Sequence, residues 1–272
     1  MAVVCYNSPP AELENLVSSL LVSIEQLKQR IDVAAIPVYL IDNSDSDQLD
    51  LDLLDTDKQL MLALGVELRL LHGHGNIGYG SGHNLILNKL KNEFHLILNP
   101  DVVTQPDTLS TGIEFLQNNP EVVLVSPHAI DEAGNKQFLC KRVPSLFTFL
   151  VRGFFPASIK KPFQARLARF EMHDLPEDEA STDIPIVSGC FMLSRTDTLK
   201  EINGFDERYF LYFEDFDLSL RMGKLGKLAY LPTMKIIHAG GHAARKGFAH
   251  LGMFARSGIR FFNSHGWRFI RQ

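Results

Sequence analysis

Five short apolar runs, Ala2 to Tyr6, Val38 to Ile41, Val66 to Leu71, Phe94 to Leu98 and Val122 to Val125, alternate with segments that carry apolar residues at helical spacing. From Leu13 the residues Leu16, Leu20, Ile24 and Leu27 keep that spacing to about Arg30, and Ser81 to Lys91 and Asp107 to Asn118 read as further helices. Strands that alternate with helices of this length specify an α/β fold, a mostly parallel central sheet with helices on its faces. Open sheets of this kind bind ligands outside the carboxyl ends of their strands. What stands at those ends therefore matters most.

Two strands end on a carboxylate. Val38-Tyr39-Leu40-Ile41 runs into Asp42-Asn43-Ser44, and Leu96-Ile97-Leu98 runs into Asn99-Pro100-Asp101. Pro100 has no N–H for a ladder and biases Asn99 toward an extended conformation, so the strand must stop there. Asp42 and Asp101 then occupy equivalent places in two βα units and face one rim. A carboxylate at that rim can accept from a ribose or base edge, or hold a divalent cation against a diphosphate. The plain alternative for either acid is a cap on the next turn.

A third acidic feature follows in Glu214-Asp215-Phe216-Asp217, at the start of a segment that Leu218, Arg221 and Met222 continue as a helix. Acids suit a first helical turn, which accounts for one or two of them. The aromatic residues Tyr209, Phe210, Tyr212, Phe213 and Phe216 surround them, and apolar surroundings raise a carboxylate's pKa and make it a better base. After a strand-like Lys227 to Leu231, Ile236-Ile237 leads to His238. With Asp101 on the same rim, a neutral imidazole and a carboxylate suit Mn²⁺, whereas Mg²⁺ leans more on oxygen donors.

The segment Gly73-His74-Gly75-Asn76-Ile77-Gly78 fits G-x-G-x-x-G between a strand and a helix, the context of a dinucleotide fingerprint. It follows the third strand rather than the first, however, and leaves Asp215 and His238 without a task. An NAD(P)-dependent dehydrogenase is the rival enzyme on this motif. A glycine-rich turn with no cofactor explains it as well.

The bulk numbers set the frame. A chain of 272 residues with 45% hydrophobic and 22% charged content can bury one large core. The net charge of -5 argues against a nucleic-acid partner, although charge is unevenly spread. Seven aspartates fall from Asp42 to Asp57, whereas Gly240 to Gln272 carries six Arg or Lys and no acid. Cys5, Cys140 and Cys190 are too few and scattered for a disulfide framework or a zinc site, which points to the cytosol. There is no leader pattern and no apolar run near the roughly 18 to 20 residues that span a bilayer. With no internal repeat or low-complexity linker, 1–272 reads as one domain: a ligand-binding half over 1–126, a second half over 127–239 and a basic aromatic end over 240–272. Asp131 to Asn135 reads as a hairpin turn, and Cys140 to Asp183 as an irregular insert.

Taken in order, Val3-Val4-Cys5-Tyr6-Asn7, Ile41-Asp42-Asn43-Ser44, Gly75 to Asn84, Leu98-Asn99-Pro100-Asp101, Ser188-Gly189-Cys190-Phe191-Met192, Gly204-Phe205-Asp206, Glu214-Asp215-Phe216-Asp217 and His238 resemble the family 2 glycosyltransferases. These are inverting enzymes of the GT-A fold, and the likeness is greatest to bacterial rhamnosyltransferase-like members. The resemblance implies a donor site of Tyr6, Asn7, Asp42, Asn43, Asn76, Gly78, Asn84, Asn99 and Asp101. It implies a Mg²⁺ or Mn²⁺ ion on Asp101 and His238, with Asn99 a third candidate where the family's Asp-x-Asp motif has its first carboxylate. Asp215, beside Glu214, is similar to the catalytic base that deprotonates an acceptor hydroxyl. The Asn-Pro-Asp form implies dTDP-L-rhamnose as donor, with UDP-sugars as the alternative, and a saccharide acceptor, lipid-linked, in O-antigen or capsule synthesis. A sugar-nucleotide-binding module without catalysis predicts affinity without turnover.

At the C-terminal end Phe248, Leu251, Ala255, Ile259 and Phe262 keep helical spacing, interleaved with Arg256, Arg260, Arg268 and Arg271 and with Trp267 near the end. Two readings stand: a helix packed on the sheet, or a basic aromatic surface in peripheral contact with the cytoplasmic face of the inner membrane.

Overall fold

The computed structural model describes residues 1–33, 35–45, 49–54, 57–156, 160–239 and 248–270, with the side chains of 53, 154, 248 and 249 excepted. Its strands are β1 (Ala2–Cys5), β2 (Ile36–Asp42), β3 (Val66–Leu71), β4 (Phe94–Leu98), β5 (Val102–Thr104), β6 (Val122–Ile130), β7 (Lys136–Gln137), β8 (Cys140–Lys141), β9 (Ile186–Val187), β10 (Phe191–Arg195) and β11 (Lys227–His238). Among the described residues, nine form one sheet in the order β3-β2-β1-β4-β10-β6-β11-β5, with β7 paired to β6. β8 and β9 pair separately.

The strands of the first half run parallel, as the alternation requires. β10 then enters antiparallel between β4 and β6, and β11 runs parallel to β6. Six of the nine strands therefore point one way; β5, β7 and β10 oppose them. Segments 1–126 and 127–239 thus contribute to one sheet. The carboxyl ends of β1, β2, β4 and β11 share a rim, and the antiparallel β10 begins there. The topology alone brings Asn7, Asp42, Asp101, Cys190 and His238 to one edge.

The helix Pro10–Arg30 begins with Pro10 at its first turn, has Glu12 near its start and Lys28 and Arg30 near its end, and buries Leu13, Leu16, Val17, Leu20, Leu21, Ile24 and Leu27. That stripe joins β1, β2 and β4 in the larger core. Asp131 does turn the β6–β7 hairpin, its side chain accepting from the N–H groups of Ala133 and Asn135.

Several elements differ from their expected extents. The segment Ser81 to Lys91 is a six-residue helix, Tyr79–Asn84, followed by a 3₁₀ turn, Leu87–Lys89. Its glycines Gly80 and Gly82 lie against Phe205 and Val4, where a Cβ would meet side chains at 2.8 and 2.9 Å, so close packing replaces helix propensity. β11 continues past Leu231 through Pro232, which a register shift between Leu231 and Lys235 accommodates. The insert contains regular structure, with helices Leu146–Phe154 and Gln164–Phe170; Ser145 caps the first by accepting from Thr148 N–H.

The C-terminal helix, Phe248–His265, packs through an aromatic cluster apart from the two core clusters that hold the sheet's buried residues. Phe261 and Phe262 enter an aromatic core with Phe149, Phe170, Tyr209 and Phe213, and Phe254 packs at its edge. Its buried face follows Phe254, Ser257, Phe261 and Phe262, whereas Leu251 and Ile259, expected inside, are 43% and 54% exposed. Aromatic partners on the neighbouring helices decide which of two apolar faces goes in. The stretch 240–247, the Phe248 side chain and Arg271 lie outside the described residues.

Candidate active site

Asp101 and His238 meet at the rim. β5 pairs antiparallel with β11 so that His238 stands opposite Val102, and Ala239 N–H donates to the Asp101 carbonyl at 3.1 Å. The side chains follow: His238 Nε2 lies 3.4 Å from Asp101 Oδ1, with 13% and 10% of the two side chains exposed. The other imidazole nitrogen, Nδ1, is 2.6 Å from Gln137 Oε1. Asn99 is tied to the same rim by its backbone N–H, which donates to Cys190 O at 2.9 Å.

Residues 189–190 connect this corner to the acids of the Glu214–Met222 helix. Gly189 N–H donates to Asp215 Oδ2 at 3.0 Å, and Phe216 N–H donates to Oδ1 at 2.9 Å. Tyr79 Oη donates to the Gly189 carbonyl at 2.7 Å, which fixes the turn from the other side. The helix itself is launched by an unusual step: Tyr212 and Phe213 both have left-handed φ, 69° and 67°, uncommon for bulky residues. That step places Glu214 and Asp215 in the first turn. Backbone strain at functional positions is held by surrounding packing, here the aromatic core that buries Phe213.

The two acids differ. Glu214 is buried, its Oε2 has no hydrogen-bond partner, and burial, then the charge of Asp215, push its carboxyl well above the usual range. Asp215 is partly exposed; burial also raises it, against the opposing N–H bonds from Gly189 and Phe216. Of the pair, Asp215 alone has both a path to solvent and fixed geometry. Asp217 is a structural acid: it accepts from Arg221 Nε at 2.7 Å and lies 2.7 Å from His265 Nε2 on the C-terminal helix.

The remaining expected positions divide. Asp42 is buried and accepts from Ser44 N–H at 3.0 Å, and it lines a cleft with Asn7, Ser8, Pro9 and Ser44. Tyr6, 49% exposed, lies at the same edge with its hydroxyl 3.4 Å from Asp45, and Asn7 N–H donates to Ser44 Oγ. Asn43 pins the glycine loop: its Nδ2 donates to Gly78 O and its Oδ1 pairs with His74 Nε2, both at 2.9 Å. Gly78 has φ 91°, and a Cβ there would stand 2.4 Å from Phe210 O. Asn76 accepts from Gly78 N–H within the same loop. Asn84 is spent elsewhere, bonding Phe205 N and O and Glu207 at the 204–207 turn. Gly73 and Gly75 meet no atom within 4 Å of a Cβ, and the loop follows the edge strand β3, away from the central position of a dinucleotide fingerprint.

Gln137, Tyr79 and Gly189 have no signal of their own in the sequence that assigns them these bonds. Among the described residues no group of three or more His, Cys, Asp and Glu is placed to hold a metal; Asp101 and His238 form a pair. Cys5, Cys140 and Cys190 are buried and in no disulfide, with burial pushing each thiol up to about 12, which disfavours the nucleophilic thiolate at neutral pH.

A mostly parallel sheet whose carboxyl rim gathers a carboxylate, an imidazole and two helix-borne acids is the arrangement of a GT-A fold. The profile of Glycosyl transferase family 2 matches residues 1–202, and the chain belongs to that family: it is a glycosyltransferase. It is 27% identical to N-acetylglucosaminyl-diphospho-decaprenol L-rhamnosyltransferase of Mycobacterium tuberculosis over 280 positions, covering 96% of this chain and 84% of the relative. It is 28% identical to rhamnosyltransferase WbbL of Escherichia coli over 186 positions, covering 64% of this chain and 66% of that one. Among solved structures the fold matches GalNAc-T7 with UDP, GalNAc and Mn²⁺ at TM-score 0.58 and 16% identity, over 87% of this chain and 42% of that chain. It matches the mannosyltransferase PcManGT of Pyrobaculum calidifontis with GDP-Man and Mn²⁺ at 0.58 and 15%, over 97% and 62%.

Proposed function

We propose that the chain is an inverting transferase that moves L-rhamnose from dTDP-L-rhamnose to a hydroxyl of a lipid-linked saccharide in cell-surface polysaccharide synthesis. The observation that carries this reading is the convergence of Asp101, His238 and Asp215 through residues 189–190. Two relatives whose names are rhamnosyltransferases support the sugar, and the lipid diphosphate in one name supports the acceptor class.

In the reaction Asp215 takes the proton of the acceptor hydroxyl as its oxygen attacks the anomeric carbon, while the nucleoside diphosphate leaves from the opposite face with inversion. Asp42, Tyr6, Asn7 and Asn43 line the place of the nucleoside, and the Asn76–Gly78 loop closes its side. Asp101 and His238 would hold a divalent cation, which would supply positive charge against the leaving diphosphate. The fit is local: a histidine nitrogen and a carboxylate oxygen converge at 3.4 Å. An imidazole in the set favours Mn²⁺. Asn99 either adds an amide oxygen or contacts the sugar.

The basic aromatic end is the proposed membrane contact. Trp267, Phe269 and Ile270 are 44%, 62% and 67% exposed beside Arg268, and Arg256 is also exposed, a composition that suits an anionic bilayer. No helix among the described residues is long and apolar enough to cross a membrane.

A thermal-shift panel of dTDP-rhamnose, UDP-sugars, GDP-mannose and NAD(P), each with and without Mn²⁺, tests the donor. The reading expects the largest stabilisation from dTDP-rhamnose with Mn²⁺. Stabilisation by NAD(P) alone overturns it.

A further inference from the structure

We infer that Gln137 is the positioning residue that aims His238 at the cation site, an inference that rests on the cation reading above. Gln137 lies in β7, 101 residues before His238, and grips that one residue twice. Its Nε2 donates to the His238 carbonyl at 2.8 Å, and its Oε1 stands 2.6 Å from His238 Nδ1.

The double contact removes an ambiguity. A carbonyl oxygen has no proton, so the amide must turn its NH₂ toward His238 O and its oxygen toward the ring. An amide oxygen can only accept, so Nδ1 carries the hydrogen. In the neutral ring Nε2 then presents a lone pair, and Nε2 is the atom 3.4 Å from Asp101 Oδ1. Two acceptor atoms converge, as a cation requires. A ligand histidine is ordinarily oriented by a partner on its other nitrogen, and Gln137 is that partner here.

Hairpin β6–β7 is what delivers it. Gln137 pairs with Ala129 of β6, and Ile236 of β11, two residues before His238, pairs with the same Ala129. The β6–β7 hairpin thereby reaches the rim, which gives it a task at the site.

Two variants separate the roles. Gln137→Leu keeps the volume and loses both bonds; Gln137→Glu keeps an acceptor for Nδ1–H and loses the donor. Mn²⁺ binding in the presence of dTDP, followed by loss of the free-ion EPR signal, is expected to weaken about 10-fold or more in Gln137→Leu. Gln137→Glu is expected to stay within about 3-fold of wild type on the same reasoning. Nitrogen-15 NMR of the His238 ring, without metal, is expected to report Nδ1–H in wild type and in Gln137→Glu, and a mixture of tautomers in Gln137→Leu. Unchanged Mn²⁺ affinity in Gln137→Leu, equal loss in both variants, or an unchanged tautomer in Gln137→Leu overturns the inference. His238→Ala is the separate control: if it binds Mn²⁺ as wild type does, the cation reading itself fails, whereas the metal-free tautomer result still judges Gln137.

Discussion

Gly189 N–H donates to Asp215 Oδ2 at 3.0 Å, so a residue outside the Glu214 helix fixes one oxygen of this carboxylate, the proposed base, while Phe216 N–H fixes the other. A Cβ at Gly189 would lie 3.3 Å from both Asp215 Cβ and Tyr79 Cε1. Either neighbour must give by a few tenths of an ångström. Gly189→Ala is therefore expected to lower kcat about 10- to 100-fold with little change in donor KM, because a small misplacement of a base costs rate rather than affinity. Steady-state kinetics at saturating acceptor checks it; a change confined to donor KM contradicts the placement.

Glu214 supplies a stability prediction. Its carboxyl is raised above the ordinary value of 4.5 by burial and by Asp215. The folded chain thus binds more protons than the unfolded chain above that ordinary value, and stability falls as pH rises toward the raised one. Glu214→Gln removes the penalty, so its melting temperature should exceed wild type at pH 8 and approach it at pH 5. Each 1 kcal/mol recovered corresponds to about 2 to 4 °C for a chain of this size. Melting curves across that range decide it, and a larger gain at pH 5 would be the wrong sign.

Asp217 anchors the C-terminal helix through His265 and its own helix through Arg221, with 4% of its side chain exposed. Asp217→Ala leaves the Arg221 charge without its partner and should cost about 3 kcal/mol in urea unfolding. Hydrogen exchange should rise first in the helix Phe248–His265. Unchanged exchange there would show that the aromatic core alone holds it.

The exposed Trp267 and Phe269 give the proposed membrane contact a direct assay. Replacing both by Ser should abolish co-sedimentation with vesicles rich in phosphatidylglycerol while leaving donor binding intact, and binding by wild type should weaken as salt increases. Equal binding to neutral vesicles would count against the electrostatic part.

Much of this site can be read from residue order, because Asp42 and Asp101 stand at strand ends and Glu214 and Asp215 at a helix start. Pro100 and the polar Asp42-Asn43-Ser44 mark those ends without any tertiary knowledge. The Asp101–His238 meeting is also legible as a shared rim, although the antiparallel β5–β11 pairing that creates it is not. Gln137 is invisible at that level: a two-residue strand has no periodicity, and its bonds depend on where the hairpin folds. The C-terminal helix misleads for another reason. It has two apolar faces, and only the phenylalanines on the helices it meets select Phe254, Phe261 and Phe262 over Leu251 and Ile259. Asn84 illustrates the limit of a motif, since its amide is bonded to the 204–207 turn rather than turned to the rim.

The most direct test of the account is Asp215→Asn, assayed for both donor binding and transfer. Dissociation constants for dTDP-rhamnose with Mn²⁺ should stay within about twofold of wild type, while turnover falls by about 100- to 10,000-fold, the share that a general base contributes. Loss of donor affinity equal to the loss of turnover would contradict it, because Asp215 would then hold the donor rather than activate the acceptor.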